Sequence, residues 1–126
     1  MLKQGRKKIL AVVTDLFFTV KINEAAKRAG LDVEFVKSGE DVLEKARLRP
    51  LLIILDLNCT AVEPLLLIEQ LKGNPEMKGV SLISYLSHVQ GELKLQAQEA
   101  GADMVMARSA FSLNLPQILK RHLGHF

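Results

Sequence analysis

Two acidic side chains follow hydrophobic runs, and their positions suggest metal or phosphoryl chemistry. Asp56 ends the run at 51–55, and Asp15 follows the run at 9–13 after one intervening Thr14. Carboxylate and carbonyl oxygens are the ligands of a hard ion such as Mg²⁺. A carboxylate can also act as a nucleophile and form an aspartyl-phosphate. If folding brings the two acids together, Mg²⁺ would offset their repulsion and Asp56 would be the attacking group.

The run before Asp56 predicts a buried strand. It is short, Pro50 precedes it, and the polar break at 58–60 follows it. An unbroken apolar run of this length is typical of a strand buried on both faces, as in parallel sheets covered by helices. Asp56 would then lie at the carboxyl end of the strand, which is the edge where open α/β sheets bind ligands.

The whole chain repeats a strand followed by a helix five times. Apolar runs predict strands at 8–13, 31–36, 50–58, 80–86 and 104–107, and helical spacing follows at 18–29, 38–49, 60–71, 89–100 and 115–123. Such alternation implies a parallel sheet with helices on both faces. We expect an α/β, flavodoxin-like, doubly wound five-stranded parallel sheet of order 2-1-3-4-5 with five helices.

Two predicted helices begin with residues that are typical of a helix N-terminus. Ser38 can cap the second helix, because its hydroxyl can accept a hydrogen bond from the first turn. Thr60 and Glu63 have the spacing of a capping box for the third helix. Pro64 suits the first turn of that helix, where a missing N–H costs little.

The predicted strand order brings the polar ends of four strands to one edge. A cation there would neutralise charge on phosphoryl oxygens, and a hydroxyl at the end of strand 4 could bind an attached phosphate. The residues at this edge are Thr14, Asp15, Asp56, Leu86, Ser87 and Arg108.

Composition indicates a globular chain. With 126 residues, 48% hydrophobic and 25% charged, we expect one domain, 1–126, with a core at about 7–123. The net charge of +3 is mild, and the basic clusters at the two ends lack interleaved aromatics, so we expect no nucleic-acid partner. No stretch has the length of a membrane span or the form of a secretory signal, which favours a cytoplasmic protein.

Residues 50–58, written Pro-x-Leu-Ile-Ile-Leu-Asp-Leu-Asn, and the turn at 73–76 resemble the response-regulator receiver domain of two-component signalling. The resemblance covers roughly 7–123. It implies that Asp56 is the phosphoacceptor and that Asp15, Asp56 and the carbonyl of Asn58 hold Mg²⁺. It also implies a histidine kinase or phosphotransfer protein as donor, and a downstream protein bound by the helix 4–strand 5–helix 5 face. A homodimer stays open, and enzymatic activity would be limited to the chain's own phosphotransfer and dephosphorylation.

The chain departs from the receiver pattern at several site positions. Thr14 replaces an acid, which weakens the Mg²⁺ site, and Leu86 stands at the usual hydroxyl position with Ser87 after it. Arg108 replaces a lysine, and Val105 replaces an aromatic residue. The alternative is therefore a degenerate pseudo-receiver that binds proteins without phosphate. In that case Arg108 could form a permanent salt bridge with Asp56 that mimics activation.

Other classes of function have weaker support. A flavodoxin-like domain that binds a nucleotide or flavin would need glycines in the first strand–helix turn, and residues 14–17 contain none. We find no Ser-His-Asp or Cys-His arrangement for a hydrolase. Because the chain ends just past the fifth helix, we expect a stand-alone receiver without an output domain.

Overall fold

The computed structural model describes residues 8–87 and 90–124. Within them, five strands alternate with five helices, as predicted. The elements in chain order are β1 (Lys8–Val12), α1 (Leu16–Arg28), β2 (Asp32–Phe35), α2 (Gly39–Ala46), β3 (Leu52–Asp56), α3 (Pro64–Lys72), β4 (Ser81–Leu86), α4 (Gly91–Ala100), β5 (Met104–Ala107) and α5 (Arg108–His122).

The strands form one parallel sheet of order β2-β1-β3-β4-β5, which confirms the predicted topology. β3 lies at the centre, with Val12 of β1 opposite Leu55 and Tyr85 of β4 opposite Asp56. The ends of β1 and β3 are therefore neighbours, so Asp15 and Asp56 follow adjacent strands at one edge of the sheet.

Alternating side chains place the core in two layers, because successive residues of a strand point to opposite faces. One layer packs the sheet against α2, α3 and α4, and includes Ile53 and Leu55. The other packs it against α1 and α5, and includes Leu52 and Ile54. All five residues of β3 are buried, as the unbroken apolar run predicted.

The predicted cap of α2 is confirmed, but the predicted start of α3 is wrong. The Ser38 hydroxyl accepts a hydrogen bond from the Asp41 backbone N–H at 3.1 Å. α3 begins at Pro64 with Glu63 as its N-cap, so Thr60 does not cap it. The proline explains the difference, since the residue before a proline disfavours helical geometry, and Glu63 has the extended dihedral angles φ −102° and ψ 96°. Pro64 itself occupies the first helical position, as expected.

α5 begins at Arg108, earlier than the apolar pattern from Leu115 onward predicted. Phe111, one turn before Leu115, is fully buried and extends the apolar face towards the amino end of the helix. Pro116 lies inside the helix on its exposed side. α5 therefore follows β5 directly, and Arg108 occupies the first turn of a helix at the sheet edge.

The basic residues of the amino-terminal cluster fall mostly outside the described part, where Lys3, Arg6 and Lys7 lie. Lys8 is described, and its Nζ pairs with Glu34 Oε1 at 3.0 Å. Lys45 Nζ contacts the other oxygen of Glu34 at 2.9 Å. In the ranges 8–87 and 90–124, every helix is too short or too polar to cross a membrane.

Candidate functional site

Asp56 is a nearly buried carboxylate at the carboxyl end of β3. The residue is only 4% exposed, and its Oδ1 accepts a hydrogen bond from the Asn58 backbone N–H at 2.9 Å. Burial raises the pKa of Asp56 above its ordinary value, while the Asn58 N–H and the charge of Arg108 act in the opposite direction. The negative charge of Asp15 raises the pKa of Asp56 further.

Asp15 serves as the N-cap of α1. Its Oδ1 accepts a hydrogen bond from the Phe18 backbone N–H at 3.2 Å, and its side chain is half-buried. Thr14, the residue at the position of the usual second acid, is exposed, and its Oγ1 lies 3.9 Å from Cys59 Sγ. The structure thus brings one acidic side chain from the end of β1 to the edge where Asp56 lies.

The donor atoms at this edge are oxygens, which suit Mg²⁺. The part of the chain that the structure describes holds no group of three His, Cys, Asp or Glu side chains that could bind a metal. Mg²⁺ keeps several waters and is commonly bound through one or two carboxylates, and two carboxylates, Asp15 and Asp56, follow adjacent strands at this edge. Burial disfavours the ionised form of Asp56 and raises its pKa, and a bound cation would favour that ionised form.

Arg108 does not pair with Asp56, so the hypothesis of a permanent salt bridge is wrong. Its guanidinium lies over the ring of Phe18, with Cζ 5.4 Å from the ring centroid, and no ion pair joins these two described residues. A guanidinium is weakly hydrated and stacks well on aromatic rings. The positive charge still lowers the pKa of Asp56. Arg108 Nε is buried and lacks a hydrogen-bond partner within the described ranges.

The side chain of Asn58 joins two loops at the edge of the sheet. Its Oδ1 accepts from the Ser87 backbone N–H at 3.0 Å and from the Ser87 hydroxyl at 3.3 Å. Its Nδ2 donates to Gln90 Oε1 at 2.9 Å. The Ser87 hydroxyl is therefore held by Asn58. Sequence reasoning missed Gln90, because nothing in the spacing of two amides this far apart predicts their contact.

Leu86 places an apolar side chain in the core. It is 3% exposed and packs in the layer with α3 and α4. It therefore brings no hydroxyl to the edge of the sheet, and Ser87 is the hydroxyl-bearing residue of the pair.

Sequence reasoning also missed an aromatic cluster next to Asp56. The ring centroid of Tyr85 lies 4.9 Å from that of Phe18 and 4.6 Å from that of Phe111, in stacked arrangements. Phe18 and Phe111 lie in the first turns of α1 and α5. The signal present in the sequence was the large aromatic residue at position 85, one before the strand end.

Solved structures match this chain over nearly its whole length. The chemotaxis response regulator CheY4 of Vibrio cholerae is 21% identical with a TM-score of 0.77, and the match covers 93% of this chain and 98% of that one. The receiver domain of a signal transduction histidine kinase from Syntrophus aciditrophicus is 24% identical with a TM-score of 0.80, covering 94% and 90%.

A third match carries a metal. The receiver domain of a sensor histidine kinase from Pseudomonas aeruginosa, solved with a magnesium ion coordinated in its active site cleft, is 20% identical with a TM-score of 0.78, covering 94% and 98%. No protein-family profile and no curated protein matches the chain. The structural matches confirm the predicted fold: the chain has the flavodoxin-like fold of response-regulator receiver domains.

Proposed function

We propose that this chain is a receiver of two-component signal transduction that accepts a phosphoryl group on Asp56. The observation that carries the proposal is the Asp56 carboxylate itself, 4% exposed at the carboxyl end of the central strand. A carboxylate is costly to bury without a paired charge, and acids buried at such a cost are concentrated at functional sites. The described residues Arg108 and Asp56 form no ion pair, which leaves the carboxylate oxygens available to attack phosphorus and so supports the same proposal.

The chemistry is nucleophilic attack by the carboxylate on phosphorus. A carboxylate oxygen of Asp56 forms the new P–O bond, and the bond from phosphorus to the donor breaks with its electron pair leaving on the donor. The product is an aspartyl-phosphate. The charge of Arg108, near enough to lower the pKa of Asp56, would stabilise the phosphoryl oxygens. The Asn58 N–H, which donates to Asp56 Oδ1, would orient the carboxylate.

The same proposal includes Mg²⁺ held by Asp15, Asp56 and the backbone carbonyl of Asn58. The ion would supply charge neutralisation at the phosphoryl oxygens. Thr14 is exposed and contributes no carboxylate, so we expect weaker Mg²⁺ binding than two adjacent acids after β1 would give. The magnesium in the cleft of the Pseudomonas aeruginosa receiver domain supports the assignment.

The proposed partners are a donor and a downstream target. A histidine kinase or phosphotransfer protein would supply the phosphoryl group in the cytoplasm. A downstream protein would bind the face formed by α4, β5 and α5, where Leu95 and Met104 are 54% and 37% exposed. The resemblance to receiver domains is what supports this face as the contact surface, and a homodimer through the same face is the second candidate.

Intact-mass measurement after incubation with acetyl phosphate and Mg²⁺ tests the proposal. We expect one added phosphoryl group on the wild-type chain, none on Asp56→Asn, and much less when the metal is chelated. Asp32→Asn is the matched control, because Asp32 is exposed at the opposite, amino-terminal end of the strands and should label normally. An unlabelled wild-type chain would overturn the proposal in favour of the pseudo-receiver, and so would an Asp56→Asn variant that labels equally.

A further inference from the structure

Two buried hydrogen-bond donors near Asp56 have no acceptor. Among the described residues, the Tyr85 hydroxyl and Arg108 Nε are buried and make no hydrogen bond. Buried polar groups in folded proteins are almost always hydrogen-bonded, so an exception calls for a physical explanation. An acceptor that is present only in another state of the protein is one such explanation.

Tyr85 is held beside Asp56 by the sheet. The two residues are opposite each other in the β3–β4 register. Tyr85 packs in the layer of α1 and α5, and Ile54, two residues before Asp56 on β3, packs in the same layer. Side chains two residues apart on a strand share a face, so Tyr85 and Asp56 leave the same face of adjacent strands.

The tyrosine ring is fixed in place by its neighbours. Its stacking on Phe18 and Phe111 places it between the first turns of α1 and α5. Asp15 caps the first of these helices, and Arg108 begins the second. The ring therefore lies among the acids and the cation of the site, and it is fully buried.

We propose that the Tyr85 hydroxyl donates a hydrogen bond to the phosphoryl group on Asp56, beside Arg108, and supplies the hydroxyl that Leu86 lacks. This inference rests on the proposed function, since the phosphoryl oxygens are the missing acceptors. The Ser87 hydroxyl is held by Asn58, whereas the Tyr85 hydroxyl, on the same face of the sheet as Asp56, has no partner among the described residues. Burial and the charge of Asp56 raise the pKa of Tyr85, so the hydroxyl keeps its proton at neutral pH.

Ser84 provides a matched control on the same strand. Its hydroxyl is also buried and without a hydrogen bond in the described part of the chain. It alternates with Tyr85 and shares a face with Leu82 and Leu86, which pack in the opposite layer with α3 and α4. A donor on that face cannot reach a group attached to Asp56.

The test compares Tyr85→Phe with Ser84→Ala and the wild-type chain in acetyl phosphate and Mg²⁺. We expect Tyr85→Phe to form the adduct about tenfold more slowly or to lose it about tenfold faster, the effect of one hydrogen bond to a charged group. Ser84→Ala should match the wild type. The unfolding temperature of Tyr85→Phe should be unchanged or higher, because the ring stack stays and an unpaired hydroxyl is removed.

A second readout needs no substitution at Tyr85. The chain has one tyrosine and no tryptophan, so its tyrosine emission reports on Tyr85 alone. That emission should change as the adduct forms and stay constant in Asp56→Asn. Equal labelling kinetics in Tyr85→Phe, or unchanged emission while the wild-type adduct forms, would overturn the role of Tyr85 but leave the proposed function standing. A wild-type chain that forms no adduct would overturn both.

Discussion

At the scale of single residues, the Asp56 carboxylate lies almost out of water, and burial raises its pKa. A group whose pKa is higher in the folded chain than in the unfolded chain binds protons more tightly when folded. The ionised form therefore lowers stability at neutral pH. This cost disappears as the pH falls through the raised pKa of Asp56, because the carboxyl group is then protonated.

We predict that Asp56→Asn stabilises the protein at neutral pH. The new asparagine side chain has nearly the same shape as the aspartate and keeps an oxygen that accepts the hydrogen bond from the Asn58 N–H. It carries no charge, so the cost of removing a charge from water is absent. The free energy of unfolding should rise by about 0.5–2 kcal/mol, the usual gain from one stabilising substitution. Urea unfolding of the wild type, Asp56→Asn and the exposed control Asp32→Asn measures the effect.

The pH dependence separates this cause from a general effect of the substitution. The gain in Asp56→Asn should shrink as the pH is lowered through the raised pKa of Asp56, while Asp32→Asn should show no such gain at neutral pH. A lower stability for Asp56→Asn at neutral pH would mean that the carboxylate is a net stabilising group, contrary to its environment.

The residue types at the site could be assigned from the sequence, but their contacts could not. Asp15 and Asp56 were placed at one edge because strand ends in a parallel sheet meet there. The position of Arg108 over Phe18 depends on where α5 begins and on which rotamer the Arg108 side chain adopts. Neither can be predicted from the spacing of residues in the sequence. The unpaired Tyr85 hydroxyl is likewise a product of three-dimensional packing.

At the scale of elements, the carboxyl end of α4 packs closely against the carboxyl end of α3, where Gly101 lies next to Lys72. Gly101 has φ +119°, and a Cβ there would lie 3.0 Å from Lys72 Cβ and Cγ. Lys72 has little freedom to move, because its Nζ donates to Asp103 Oδ2 at 2.7 Å and to the carbonyls of Lys78 and Val80 at 3.0 and 2.9 Å. A glycine is therefore required here for both conformation and space.

We predict that Gly101→Ala destabilises the protein more than Gly30→Ala. Both glycines have positive φ, so each alanine should cost about 1–2 kcal/mol. Only Gly101 adds crowding, since no atom of the described residues lies within 4 Å of a Cβ at Gly30. Urea unfolding of the two variants gives the comparison. Equal losses would show that Lys72 moves aside at little cost.

Element types followed from the sequence, and some boundaries did not. Apolar runs predicted every strand, and Ser38 predicted a cap that forms. The start of α3 was wrong because the capping-box pattern at Thr60 competes with the restriction that Pro64 places on Glu63. The start of α5 was missed because Phe111 alone marks its first turn.

At the scale of the whole molecule, the alternation of strands and helices determines the topology. Right-handed crossovers leave few arrangements for five parallel strands, and the order β2-β1-β3-β4-β5 puts the ends of β1 and β3 side by side. The site depends on this order, because Asp15 and Asp56 are 41 positions apart in the chain (56 − 15) and meet only through the adjacency of their strands.

Phosphorylation of Asp56 itself is tested most directly by identifying the modified aspartate chemically. Borohydride reduces an aspartyl-phosphate to homoserine, a stable mark that peptide mass spectrometry assigns to one position. After labelling with acetyl phosphate and Mg²⁺, we predict homoserine at position 56 and at no other aspartate. Homoserine at position 15 or elsewhere, or none at all, would contradict the account.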